Sequence, residues 1–216
     1  KGPIMEHDAR ATGNHPGIID YKAGSYVFGF SYENNFAITP IHHERRSVSV
    51  AKFAYNADGT IPNLKWWDVA RAPQIGTLNP YTRVEAETIA WTSRLKRDRD
   101  RNYSWAPGVT TAQDDARGVY VTRITDRSYI KVAGVDFGKT EAKMFTASIA
   151  NARPGSSIEL HLDRVDGQLI GTMPVNQTGA PGHWREQTVA TSGAIGVRDL
   201  YLVFKGGEGA MFDLDY

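Results

Sequence analysis

Apolar residues recur at every second position in short bursts along this chain, and glycine, asparagine, aspartate and proline separate the bursts. The clearest case is IELHLD, where Ile158, Leu160 and Leu162 alternate with Glu159 and His161. A strand with that pattern buries the first set and turns the second outward. Val165, Asp166 and Gly167 then close a hairpin into QLIGTMPV. Helical periodicity is hard to find, so the chain is predicted to be all-β. Expected strands cover 18–21 and 26–32, joined by a tight turn at 22–24, and 47–55, followed by a turn at 56–59. Further strands are expected at 83–91, 129–132, 144–149, 158–162, 168–173, 187–191, 200–204 and 211–216. Between Ile61 and Pro80 the periodicity lapses and prolines and a glycine intervene, the texture of a connector. The predicted organisation is a first domain over 1–66, a linker over 67–79 with the boundary near Leu78, and a β-sandwich of jelly-roll type over 80–216.

Within RVEAETIAW the alternation raises a chemical question. In an extended strand Glu85 and Glu87 share one side, ~7 Å apart, where like charges repel. Two explanations are open: a solvated outer face of an edge strand, or a hard cation held between the carboxylates.

Charge and composition narrow the function classes. Of 216 residues 25 are basic and 24 acidic, so the formal net charge of +1 offers no field to recruit nucleic acid or anionic lipid. The one basic cluster, RLKRDRDR at 94–101, is interrupted by Asp98 and Asp100. Cysteine is absent, which removes disulfides and thiol nucleophiles and suits either a cytosolic protein or an exported bacterial one. No apolar run reaches the roughly 18 residues of a membrane span. A phosphate-cradling glycine loop, a nucleophile elbow and an HExxH helix are missing too. The chain starts at Lys1, so it is expected to begin inside something larger or to have been processed.

Five segments in order, NPYTRVEAETIAW, SYIKVAGVDFG, IELHLDRVDGQLIGTMPV, GVRDLYLVFKGGEG and MFDLDY, resemble a family 6 carbohydrate-binding module over 80–216. The earlier TGNHPGIIDYKAGSYVFGFSYE and HHERRSVSVAKFAYNADGTIPNLKWW resemble the last blades of the five-bladed β-propeller of glycoside hydrolase family 43, the arabinofuranosidase and xylosidase family. The pairing is similar to bacterial enzymes that trim arabinose from arabinoxylan. The resemblance implies the C-terminal portion of a plant-cell-wall glycosidase with inverting chemistry, secreted by a bacterium, acting on arabinoxylan or xylan and completed by the missing propeller blades. A non-catalytic carbohydrate-binding or structural sandwich is the alternative.

The resemblance also assigns residues. It implies a structural calcium held by Glu85, Glu87 and Asp215, with backbone carbonyls of the loop after Trp91 completing the shell. An inverting glycosidase needs two carboxyl groups about 6.5–9.5 Å apart, and the family motifs that carry them are not in this sequence. Glu6, Asp8, Asp20, Glu33 and Glu44 match none of those motifs, so no catalytic residue is expected in this stretch and the chain alone is expected to be inactive. His15, in GNHPG, corresponds to a histidine facing the propeller axis and its central metal or waters; simple packing is an equally open role. In HHERRS, either Arg45 or Arg46 would reach the sugar, since alternation lets one of them face inward. For His42 and His43, adjacency on a strand argues against a shared metal.

Family 6 modules sandwich a sugar ring between two aromatic side chains, beside an asparagine of the last strand. Here Arg123 and Pro181 fall on the aromatic positions, Trp184 on a more structural one, and Asp213 on the asparagine. The usual cleft is therefore expected to be weak or inactive, with Trp184 and Asp213 as its remaining candidates. Tyr103, Trp105 and Tyr120 could build another sugar surface or serve as loop packing.

Overall fold

The computed structural model describes residues 2–5, 15–22, 24–31, 47–65, 76–93 and 109–216. The chain divides into two compact units, Lys1–Ile75 and Gly76–Tyr216. All regular structure among the described residues is β.

In the first unit β1 (Gly17–Tyr21), β2 (Gly24–Ser31) and β3 (Ser47–Phe53) form an antiparallel sheet in that order. Tyr21 pairs with Gly24, and Lys22 is at φ 50°. Central β2 buries Tyr26, Val27 and Phe30, whereas β1 is exposed along its whole length, Ile18 and Ile19 included. Past β3 the predicted turn is present: the Gly59 N–H donates to the Asn56 carbonyl at 2.9 Å, and Gly59 sits at φ 79°, a conformation that favours glycine. Leu64 then bridges Met5 in parallel.

The second unit is a sandwich of two five-stranded antiparallel sheets. One contains β4 (Trp91–Thr92), β7 (Tyr129–Asp136), β9 (Ser157–Leu162), β10 (Gln168–Pro174) and β12 (Val197–Lys205), in the order β10-β9-β12-β7-β4. The other contains β5 (Thr110–Asp114), β6 (Gly118–Thr122), β8 (Met144–Ala150), β11 (Arg185–Ala190) and β13 (Asp213–Leu214), in the order β11-β8-β13-β6-β5. Ile130, Ile158, Leu160, Leu162, Leu202 and Phe204 from the first sheet share a core with Val121, Ala147, Ile149 and Leu214 from the second. The expected alternation in β9 is present, with Ile158, Leu160 and Leu162 buried and Glu159 and His161 half-buried. Phe204 meets Phe212 edge to face at 5.7 Å.

Two expectations are corrected, and one hairpin is added. Residues 84–89 are not a strand: the Thr88 N–H donates to the Glu85 carbonyl at 2.9 Å and the Ile89 N–H to the Glu87 carbonyl at 2.7 Å, which folds the segment back on itself. Strand pairing begins only at Trp91, opposite Lys131. Leu78, expected in the linker, exchanges backbone bonds with the β7 segment, accepting from Asp136 at 2.8 Å and donating to Gly134 at 2.9 Å. The hairpin of β5 and β6 was not anticipated, because its polar edge strand TTAQD carries no apolar alternation. Its turn is fixed instead by Asp114, whose carboxylate accepts from the N–H groups of Ala116 and Arg117 at 2.9 and 2.8 Å.

Candidate functional site

Chemistry in the second unit gathers around β13, a strand of two residues between β6 and β8. Leu214 enters the core, so its neighbours Asp213 and Asp215 take the opposite face. Asp213 accepts from the Thr122 hydroxyl and from the Asn151 amide, each at 2.5 Å. Asn151 is at φ 53°, and its side-chain Oδ1 accepts from the Gly182 N–H at 2.9 Å, tying the 178–184 loop to the strand. Both oxygens of Asp213 are thus occupied. A sugar hydroxyl arriving there meets an acceptor with no proton to donate, whereas an asparagine would offer both functions.

Trp184 lies beside this point. Tyr120 meets its ring edge-on at 5.3 Å, and the Arg117 guanidinium covers a face at 4.5 Å. Burial first, then the nearby carboxylates of Asp213 and Asp114, raises the Tyr120 phenol above its ordinary value. Arg123 and Pro181, at the positions where aromatic residues would grip a ring, are both exposed, and Arg123 is at φ 51°. A cavity of about 360 Å³ runs into the sandwich among Leu160, Leu202 and Leu214, but Tyr120, Trp184 and Asp213 do not line it.

Asp215 is fully buried, and a buried carboxylate needs compensation. Arg117 donates to its Oδ2 at 2.5 Å and Arg83 does so at 3.3 Å. Arg83 also grips Glu85 with both arms of its fork, Nε to Oε1 at 2.9 Å and Nη2 to Oε2 at 3.0 Å, while its guanidinium lies 4.0 Å from the centre of the Tyr216 ring. The hydrogen bond to Glu85 is the main reason the Arg83 guanidinium is pushed above its ordinary value. The Ala86 N–H donates to the Asp215 carbonyl at 2.7 Å, so the turn at 85–87 and the end of the chain are joined through the backbone. Glu87 Oε2 and Asp215 Oδ1 are buried with no hydrogen-bond partner. Tyr216 closes the cluster by donating to Glu186 at 2.6 Å.

Against the sequence expectation, Glu85 and Glu87 are not neighbours on one strand face: the turn separates them, and Arg83 claims Glu85. No group of three metal-ligating side chains lies close enough together among the described residues. His15 is exposed and lies in the first unit. Arg45 and Arg46 fall outside the described residues, as do His42, His43, Tyr103, Trp105 and the 94–101 cluster. The arginines around Asp215 were missed. A signal existed for Arg83, two positions before Glu85, but Arg117 follows a turn and nothing in its local pattern points to an acid about 100 residues away.

With this arrangement in view, comparison with known proteins decides the family. The sequence model of the carbohydrate binding module (family 6) matches residues 101–216. The chain belongs to that family. The module of Clostridium cellulolyticum solved with xylose superposes on it at a TM-score of 0.54 with 33% identity, over 64% of this chain and 95% of that one. A likeness spanning both units is found with the arabinoxylan arabinofuranohydrolase of Bacillus subtilis strain 168, 37% identical over 92% of this chain and 37% of that protein. The crystal structure of a Bacillus subtilis glycoside hydrolase family 43 arabinoxylan arabinofuranohydrolase, in complex with cellotetraose, matches at a TM-score of 0.80 with 35% identity, over 95% of this chain and 40% of that one. The chain therefore spans less than half the length of the two arabinoxylan arabinofuranohydrolases, and the family 6 module lies in its later unit.

Proposed function

We propose that this chain is the C-terminal portion of a secreted bacterial glycosidase of the arabinoxylan arabinofuranohydrolase type, joining the last strands of a catalytic propeller to a family 6 module. What carries this proposal is the likeness to a family 43 arabinoxylan arabinofuranohydrolase across 95% of the chain, which includes the three-stranded sheet outside the module. The exposed apolar residues of that sheet, Ile18, Ile19 and Val48 among them, fit an element that continues into further blades. The whole enzyme would hydrolyse arabinosyl side chains with inversion, using two carboxylic acids from the earlier blades. His15 and one of Arg45 and Arg46 would serve that site from the late blades. This stretch, lacking the acids, would bind or brace and not cleave. The module would hold a xylan-type chain weakly at the usual cleft, because Asp213 is already satisfied and Trp184 is partly covered.

Calcium is the proposed cofactor of the module, and the two buried, unpartnered oxygens, Glu87 Oε2 and Asp215 Oδ1, suit a hard cation. Glu87 and Asp215 would hold it, with Glu85 joining when Arg83 releases it. Bound there, calcium would supply positive charge to buried carboxylates. The Ala86 to Asp215 backbone bond joins the turn at 85–87 to the segment after β13.

The test is an assay of the 216-residue chain beside the full-length enzyme on arabinoxylan and on a nitrophenyl arabinofuranoside. Release of arabinose by the full-length enzyme alone is expected. Turnover by this chain would place the catalytic acids here, and binding without turnover in the full-length protein would favour a non-catalytic module.

A further inference from the structure

The acid cluster at Asp215 already contains its own cations. Two carboxylates, Glu85 and Asp215, meet two guanidinium groups, Arg83 and Arg117, so these four charges cancel before any metal arrives. Two arginines supply the same +2 as one calcium. Arg83 is placed where substitution for a metal is geometrically sensible. Its fork spans the exposed Glu85 and the buried Asp215, and its flat face rests on Tyr216, so one side chain links the turn at 85–87 to the end of the module as a bridging cation would.

Resting on the calcium proposal above, we infer that Arg83 is a built-in stand-in for calcium, which keeps the module folded in its absence and weakens the metal's binding by competing for Glu85 and Asp215. Arg83 is in this sense a positioning residue, exchanging one partner for another, and it touches no sugar. Two buried oxygens remain free for the ion, Glu87 Oε2 and Asp215 Oδ1, so the competition is partial and the site stays able to bind. When the ion enters, Arg83 must leave at least one carboxylate, because a guanidinium and a dication on the same oxygens repel.

The test uses the full chain, calcium chloride and a chelator, with calorimetric titration and thermal melting as readouts. In the native protein, chelation is expected to move the melting temperature little. Arg83→Met is expected to bind calcium about tenfold or more tightly, the scale on which one unit charge within a few ångströms acts on a dication. It should also melt much lower in chelator than in calcium. Arg83→Lys keeps the charge without the fork and should fall between the two. An Arg83→Met protein that is unfolded in chelator and folds on adding calcium is the limiting form of the same result. Equal calcium affinity in native and Arg83→Met proteins overturns the inference alone, as does an Arg83→Met protein that stays unfolded in saturating calcium. Absence of calcium binding in all three overturns the calcium proposal and this inference together.

Discussion

Asp163 and Tyr216 set opposite pH limits on the sandwich. Hydrogen bonds from Arg198 hold the Asp163 carboxyl below its usual range. A group depressed in the folded state contributes its stability above the ordinary carboxylate value, ~3.9, and loses it as pH falls through the folded value. Arg198→Gln is therefore expected to lower stability slightly at neutral pH and leave it unchanged in acid, which flattens the acid limb of a pH–stability curve; the loss is small because the pair is half exposed and strongly screened. Tyr216 is pushed the other way, first by its hydrogen bond to Glu186 and then by burial. Its contribution is complete below the ordinary phenol value, ~10, and is lost as pH rises through the folded value, so Tyr216→Phe should flatten the alkaline limb. Both effects are readable by denaturant melts across pH. Trp184→Ala is expected to cost about 2 kcal/mol through lost contact with Tyr120 and Arg117, with xylo-oligosaccharide affinity by calorimetry little changed. Micromolar binding lost in that variant would show the indole gripping sugar. At this scale the acids could be picked out from the sequence, because the motif that contains Glu85 and Glu87 is short and local. Their partners could not, because Arg117 reaches Asp215 across a fold that no local pattern encodes.

At the scale of elements, the apolar pattern gave β8, β9, β10 and β12 to within a few residues; β9 buries Ile158, Leu160 and Leu162 in strict alternation, whereas β8 and β12 bury consecutive residues near their C-terminal ends. It misled at 84–89, where the same alternation accompanies a turn fixed by backbone bonds at Glu85 and Glu87. It was silent at β5, whose polar edge needs no apolar face. The hairpin between β9 and β10 offers the sharpest element-level check. A Cβ on Gly167 would lie 1.9 Å from the Leu162 carbonyl oxygen, a backbone atom that cannot move without shifting the strand. Gly167→Ala is expected to cost roughly 2–3 kcal/mol in chemical denaturation, and accelerated amide exchange should be confined at first to β9 and β10.

For the whole molecule, the two units differ in what they can bury. Among the described residues the sandwich shares a core of twenty-two buried apolar side chains, whereas the first unit's cluster is Val27, Ala51 and Phe53 with Met5, Ile61 and Leu64 packed against it. So small a cluster offsets little of the ordering of the described strands β1 to β3. Limited proteolysis of the chain is expected to digest the first unit and leave a resistant fragment beginning near Gly76, identifiable by intact mass; equal survival of both units would mean that the first draws support from elsewhere. A further consequence follows from the two-residue strand β13. It supplies the middle of a five-stranded sheet yet follows both its neighbours in the chain, so during synthesis β6 and β8 keep their facing edges bare until Asp213 and Leu214 have been made. Any premature stop before Met211 would release a sheet with a gap at its centre, open to a strand from another nascent chain.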